Sequence, residues 1–195
     1  PVACPADTPL FGALFTTHCD WKISELGMMY ALFFVFLGAA SAIWGGWLER
    51  AGPRKAALVS ALCWCGGLLV SALGIYWHQL WLVLAGAGAI GGIGLGLGYI
   101  APVSSLIKWF PERRGMATGM AVAGFGGGAM IGAPLADILM RHYATATSVG
   151  VWETFATLAV VYFVFMTAGA FTIKMPASSW KPKGWTPPAQ SADSM

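Results

Sequence analysis

Four charged residues lie in one short run between two apolar stretches, Gly45-Gly46-Trp47-Leu48-Glu49-Arg50-Ala51-Gly52-Pro53-Arg54-Lys55. Gly52-Pro53 is typical of a tight turn. Glu49 and Arg50 close the first apolar stretch, and charge pairs at such a point can hold neighbouring helix ends together in one conformation. A set of charges that only anchors the helix ends is the alternative, and spacing alone leaves both open.

Tyr30 and Tyr99 lie within long apolar stretches, where they could contact a solute. Tyr30 and Tyr99 each carry an O–H donor and an aromatic ring, which suit the lining of an anion site. A role in packing or at the membrane interface is the alternative for both. Sequence alone leaves Tyr30 and Tyr99 as candidate substrate-lining residues.

The acids and histidines do not form a catalytic or metal-binding pattern. Asp137 and Glu153 are the acids nearest to apolar stretches, but Asp137 stands four residues before Arg141, which predicts an exposed pair on one helix. The three histidines show no metal-ligand spacing. Gly86, Gly88 and Gly91 match a dinucleotide-binding pattern by accident, because no strand precedes them. We predict no enzyme activity, no catalytic residues, no metal and no cofactor.

The composition shows what surrounds these residues. Apolar residues make up 57% of the 195, charged residues 10%, and the mean hydropathy is +0.69. Globular proteins average about 25% charged residues. Disorder, a nucleic-acid-binding module and an ordinary soluble enzyme are therefore excluded, and the lipid bilayer is the expected environment.

Charge-free stretches define the elements that position the candidate residues. A helix needs roughly 20 apolar residues to cross a bilayer, and the interval between Lys55 and Lys108 is long enough for two crossings joined by a turn at 76–79. Lipid offers the backbone no partners, so the crossings must be helices. We predict an all-α integral membrane protein with five spans, at about 26–48, 56–76, 80–106, 115–137 and 153–173 within a bundle at 25–175.

Lysine and arginine set the orientation. Nine of the eleven lie on one side of the five-span arrangement. These nine are Arg50, Arg54, Lys55, Lys108, Arg113, Arg114, Lys174, Lys181 and Lys183. Because cytoplasmic loops are enriched in Lys and Arg, this side is expected to be cytoplasmic. The segment 1–24 is then extracytoplasmic, 176–195 is a cytoplasmic linker, and the location is the cell (inner) membrane.

Glycines recur at helical spacing in two spans. In the third span they fall every four residues, at Gly88, Gly92 and Gly96, and in the fourth at Gly124, Gly128 and Gly132. Such faces let two helix backbones approach closely in lipid, where no hydrophobic effect drives the association. We predict that all six glycines pack helices, either rigidly or as a sliding interface.

The first loop resembles the motif G-x-L-A-D-R-x-G-R-R-x-x-L of the major facilitator superfamily. Gly45, Arg50, Gly52 and Leu58 match the motif, and Glu49 replaces its Asp. The run Lys108-Trp109-Phe110-Pro111-Glu112-Arg113-Arg114-Gly115 resembles a second loop, that of the oxalate/formate antiporter family within this superfamily. The resemblance implies that Gly45, Glu49, Arg50, Gly52, Arg54 and Lys55 form a conformational switch. It also implies that a second cytoplasmic loop contains Lys108, Arg113 and Arg114.

The resemblance also implies an incomplete carrier. The chain would hold helices two to six of a twelve-helix protein, five helices of an incomplete six-helix half, and the C-terminal half would be its partner. The implied function is secondary transport of a small organic anion by alternating access. A carrier of another solute, such as a monocarboxylate or a drug, is the alternative, and a five-span membrane scaffold is a further one. No Lys or Arg lies inside a span, so this chain cannot neutralise an anion at mid-membrane.

Overall fold

The stretches without charged residues that are long enough to cross a bilayer form helices. The computed structural model describes residues 14, 21, 23–145 and 148–176. Five long helices fill these residues: α1 (Ile23–Ala51), α2 (Pro53–Tyr76), α3 (Leu80–Trp109), α4 (Arg114–Tyr143) and α5 (Val151–Thr172). All five contain windows long and apolar enough to cross a membrane, which confirms the predicted all-α class and number of spans. Most of 1–24 and nearly all of 176–195 lie outside the described residues.

The connections show why the helices end where they do. Gly52 has φ +85°, a conformation that glycine adopts without steric cost, and Pro53 then starts α2. His78 has φ +54° in the predicted turn between α2 and α3. After α3, a 3-10 turn at Pro111–Arg113 leads directly into α4. The connection before α5 ends at Gly150, which has φ +74°.

Two helices depart from the simplest expectation. The fourth helix continues beyond residue 137 to Tyr143. Its last turns lie beyond the apolar stretch and carry an exposed ion pair, so the helix is longer than the predicted membrane span. Within α3, the segment Leu84–Ile90 is a π-helix. This wider turn contains Gly86 and Gly88, so the apparent dinucleotide pattern lies on helix rather than on a strand-to-helix loop.

The helices pack around small residues. Helix α3 lies between α1 and α2, α5 packs on the other side of α2, and α4 touches α3 and α5 at the edge of the bundle. The fully buried positions are mainly Ala and Ser, among them Ala56, Ser60 and Ala101. Large apolar side chains point outward, as Phe165 and Met130 do. This arrangement suits helices that associate in lipid by close backbone approach.

The two glycine-rich helices differ in what their glycines meet. A Cβ added at Gly92 would lie 2.6 Å from the carbonyl oxygen of Phe33, and one at Gly96 would lie 2.7 Å from that of Leu37. The glycine face of α3, including Gly88, is therefore occupied by α1. On α4, no described atom lies within 4 Å of a Cβ added at Gly124 or Gly128, and at Gly132 only the Tyr162 hydroxyl does. Helix packing through the α4 glycines stays a prediction.

Candidate functional site

Aromatic side chains from four helices line a partly open apolar cavity. Its volume is about 420 Å³, and it contains both candidate tyrosines. We call it the aromatic cavity; it is lined by Tyr30, Phe33, Phe34, Leu37, Trp64, Leu95, Tyr99 and Phe125. Trp64 and Leu95 stand near the midpoints of α2 and α3. The aromatic cavity therefore lies at the depth where carriers built from helical repeats hold their substrates.

Helical spacing brings these rings together. Tyr30, Phe33 and Phe34 share one face of α1 because they are three and four residues apart. The ring of Tyr30 meets that of Phe34 edge-on at 5.1 Å between centroids, and Phe33 meets Trp64 at 6.1 Å. On the other wall, Tyr99 of α3 meets Phe125 of α4 at 6.0 Å. Edge-to-face contacts of this kind stabilise a fixed ring arrangement.

A smaller cavity of about 210 Å³ continues the aromatic cavity toward α5. It shares Tyr30, Phe33 and Trp64 with the larger one and adds Phe155. The α3 helix also lets the backbone of α2 approach closely at Trp64: a Cβ added at Gly94 would lie 3.0 Å from the Trp64 Cα atom. The glycines of α3 therefore make room for the α2 backbone as well as for α1.

The lining of the aromatic cavity is mainly apolar and includes a few hydrogen-bond donors. Its eight lining residues include no charged side chain. The phenolic O–H groups of Tyr30 and Tyr99 and the indole N–H of Trp64 are its side-chain donors. Tyr30 is 62% exposed and Tyr99 37% exposed within the described structure, so both can contact a solute. The cavity can orient a carboxylate through O–H donors, but it cannot neutralise its charge.

The two basic loops and the end of α5 meet at one end of the bundle. The Arg54 Nε–H donates to the carbonyl of Ile173 at 2.7 Å, and the Trp109 Nε1–H donates to that of Lys174 at 2.8 Å. We call this the basic end, and its described cations are Arg50, Arg54, Lys55, Lys108, Arg113, Arg114 and Lys174. The sequence patterns did not indicate either bond, because backbone carbonyls are their acceptors.

The structure shows where the predicted switch residues lie. Their role as a switch stays a prediction. Arg50 lies in the last turn of α1 and is exposed, and Arg54 and Lys55 begin α2. The side chain of Glu49 is outside the described part of the structure, so its pairing stays a prediction. No described atom lies within 4 Å of a Cβ added at Gly45. In the second loop, Lys108, Arg113 and Arg114 are all exposed.

Three acids, Glu25, Asp137 and Glu153, lie at the opposite end of the bundle. Arg141 and Asp137 form the predicted exposed ion pair, with 2.9 Å between Nη2 and Oδ2. Glu25 is only 4% exposed, which its position at the edge of a span did not indicate. One carboxylate oxygen of Glu153 is buried and has no hydrogen-bond partner among the described residues. Those residues also contain no group of three potential metal ligands.

The sequence was compared with protein families and with known proteins, and it matches one family. The sequence profile of the Major Facilitator Superfamily matches residues 8–193. The chain is 26% identical, over 78% of its length, to the "uncharacterized MFS-type transporter YhjX" of Escherichia coli, and covers 37% of that protein. It is 32% identical over 58% of its length to the "apicoplast pyruvate carrier 1" of Toxoplasma gondii, covering 26% of it. It is 30% identical over 48% of its length to "monocarboxylate transporter 13" of Bos taurus, covering 21%. The chain thus spans well under half the length of each of these relatives.

Proposed function

Because the chain belongs to the Major Facilitator Superfamily, we propose that it forms part of a secondary transporter that carries a small organic anion by alternating access. Members of this family are transporters, not enzymes. The rest of the carrier, including its C-terminal half, is the proposed partner of this bundle. Substrate would be held between the two, as in carriers built from repeats.

The aromatic cavity is the observation that carries the proposal. Its volume of about 420 Å³ falls within the usual range for small-molecule sites. Tyr30 and Tyr99 line this cavity from two helices, and each carries an O–H donor on an aromatic ring. This combination favours a short, planar carboxylate, whose oxygens accept hydrogen bonds while its carbon skeleton packs on the rings.

The charge of the substrate must be balanced from outside this bundle. The intervals 26–48, 56–107, 115–136 and 154–173 contain no Lys or Arg. A carboxylate left without a cation at mid-membrane would be expensive to bury. We therefore assign the neutralising cation to the remainder of the carrier, and the tyrosines of this bundle to orientation.

The carboxylate class is supported from two sides. Two relatives are named as carriers of pyruvate or monocarboxylates. The second basic loop resembles that of oxalate/formate antiporters. Both point to a carboxylate of a few carbons, and exchange of one such anion for another is the proposed mode. An apolar drug is the second candidate, because an uncharged aromatic lining also fits a neutral solute.

The basic end supplies the proposed switch and its orientation. Its cations are those of the cytoplasmic side in the proposed topology, within the cell (inner) membrane. Ion pairs and carbonyl bonds of Arg50, Arg54 and Lys55 would form when that side closes and break when it opens. The bond from Arg54 to Ile173 already links the first loop to the end of α5.

Counterflow measurements on the full-length carrier test the substrate class. Proteoliposomes preloaded with oxalate, formate, pyruvate or lactate should accumulate the same labelled anion. Tyr99→Phe should raise KM about tenfold or more, because a hydrogen bond to a charged group contributes about 1.5–3 kcal/mol. Tyr76→Phe is the matched control, since Tyr76 lies at the end of α2 against Trp152. Uptake of neutral drugs without any carboxylate counterflow would overturn the proposal.

A further inference from the structure

A second cavity lies at the basic end, away from the aromatic cavity. This cleft, of about 550 Å³, separates the first turn of α2 from the residues that follow α5. We call it the basic cleft, and its lining is Ala51, Gly52, Pro53, Arg54, Lys55, Ile173, Lys174 and Met175. The proposed switch uses Arg54 and Lys55 from this lining but assigns no ligand to the space between the walls.

The walls of the basic cleft are held by specific bonds. Arg54 crosses from one wall to the other through its bond to the Ile173 carbonyl. The Lys174 carbonyl accepts from Trp109 at 2.8 Å, which ties the chain after α5 to the end of α3. The positive φ of Gly52 and the rigid ring of Pro53 shape the remaining wall. These bonds hold the two walls of the cleft, one at the start of α2 and the other in the residues that follow α5.

The lining has the chemistry of an anion site. Three cations, Arg54, Lys55 and Lys174, line the cleft, and none of the eight lining residues is an acid. A guanidinium has five N–H donors, and the bond to Ile173 is the one that Arg54 makes among the described residues, which leaves donors for a ligand. Three positive charges around one space attract a group with several oxygen acceptors and a negative charge, such as a phosphate.

The position of the basic cleft favours a phospholipid headgroup over a free phosphate as the ligand. It lies where α2 begins and α5 ends, which in the proposed membrane arrangement is the level of the lipid headgroups. Its lining combines the cations with Pro53, Ile173 and Met175, which are apolar. A free phosphate would use only the cations, whereas a phospholipid would also place its glycerol and acyl carbons on the apolar residues.

We propose that the basic cleft binds the headgroup phosphate of an anionic phospholipid from the leaflet that faces the basic end. This assignment rests on the proposed orientation, since anionic lipids are enriched in the cytoplasmic leaflet. A bound phosphate bridges Arg54 and Lys55 on α2 to Lys174 beyond α5. It therefore favours the arrangement in which these two elements are close together.

Native mass spectrometry of the full-length carrier in detergent tests the site without depending on transport. The carrier is titrated with phosphatidylglycerol, with phosphatidylcholine of the same acyl chains, and with phosphatidylglycerol in the presence of inorganic phosphate. The test variant is Lys55→Gln/Lys174→Gln, which keeps the Arg54–Ile173 bond. The control is Lys108→Gln/Arg113→Gln, which removes two exposed cations that do not line the cleft.

We expect phosphatidylglycerol to bind more tightly than phosphatidylcholine. The test variant should lose about 25-fold in affinity for phosphatidylglycerol, since each basic side chain near an anionic headgroup contributes roughly a factor of five. The control should lose less than about threefold because its charges lie outside the cleft and are screened. Equal binding of the two lipids, equal losses in the two variants, or displacement by millimolar inorganic phosphate would each overturn the assignment. Normal counterflow alongside any of these results would leave the transport proposal standing.

Discussion

The contact between α2 and α3 allows a sharp test with two adjacent glycines. Gly67 faces α3 and is buried, and a Cβ added there would lie 2.6 Å from the Gly86 carbonyl oxygen and 2.9 Å from the Gly91 nitrogen. Gly66 points away, and no described atom lies within 4 Å of its added Cβ. The variants Gly67→Ala and Gly66→Ala therefore add the same atom to the same helix, once against α3 and once away from it.

The size of the effect follows from these distances. Both variants gain helix propensity of about 1 kcal/mol, because Gly is that much poorer than Ala within a helix. At Gly67 the added carbon meets backbone, which cannot rotate away, so α2 and α3 must separate by about 0.8 Å to reach ordinary contact at 3.4 Å. Overpacking of this kind costs about 1–3 kcal/mol. Gly67→Ala should therefore be less stable than Gly66→Ala by about 1–3 kcal/mol.

Unfolding of the full-length carrier in detergent by increasing sodium dodecyl sulfate measures this difference, with tryptophan fluorescence as the signal. Comparison of the two variants cancels the propensity term, so the difference isolates the helix contact. Equal midpoints for the two variants, or a more stable Gly67→Ala, would refute the close approach of the two backbones.

Three further variants follow, two from single contacts and one from the proposed switch. Ser60→Ala removes a buried bond of 2.7 Å to the Gly94 carbonyl and should lower the free energy of unfolding by about 0.5–1.5 kcal/mol in the same assay; an unchanged midpoint would contradict the bond. Asp137→Asn breaks an exposed pair with Arg141 and should cost less than about 1 kcal/mol, and a larger loss would show that the pair is not screened. Arg50→Ala should reduce the counterflow rate at normal expression while Arg113→Ala has a smaller effect; equal rates for Arg50→Ala and wild type would count against the switch.

The spans were predictable because they depend on composition over a long window. Charged residues are too costly in lipid to be scattered, so their positions mark helix ends directly. The turn at Gly52-Pro53 followed from backbone preferences of two residues, and the Asp137–Arg141 pair from helical spacing alone. These features are local, and sequence reports local features well.

Features that need two helices at once were not predictable. The π-helix at Leu84–Ile90 has no pattern of its own, since the same glycines would suit a regular helix. The meeting of Trp64 with Phe33 depends on how far α3 lets α1 and α2 approach. Likewise, the acceptors of Arg54 and Trp109 are backbone carbonyls, which every residue carries, so side-chain types could not identify them.

The two glycine faces illustrate the same limit. Identical spacing in α3 and α4 predicted identical packing. In α3, backbone atoms of α1 lie within 3 Å of the Cβ positions of Gly92 and Gly96. The corresponding positions Gly124 and Gly128 of α4 meet no described atom within 4 Å. Spacing indicates that a face can accept a helix, but it does not say which helix lies there.

Thiol accessibility tests the membrane arrangement most directly. In a carrier without native cysteines, Ala51→Cys, Glu112→Cys and Val149→Cys place single thiols before α2, before α4 and before α5. A membrane-impermeant maleimide added to intact cells should label Val149→Cys only, and permeabilised cells should show labelling at all three. Labelling of Ala51→Cys and Glu112→Cys from opposite sides of the membrane would contradict the arrangement.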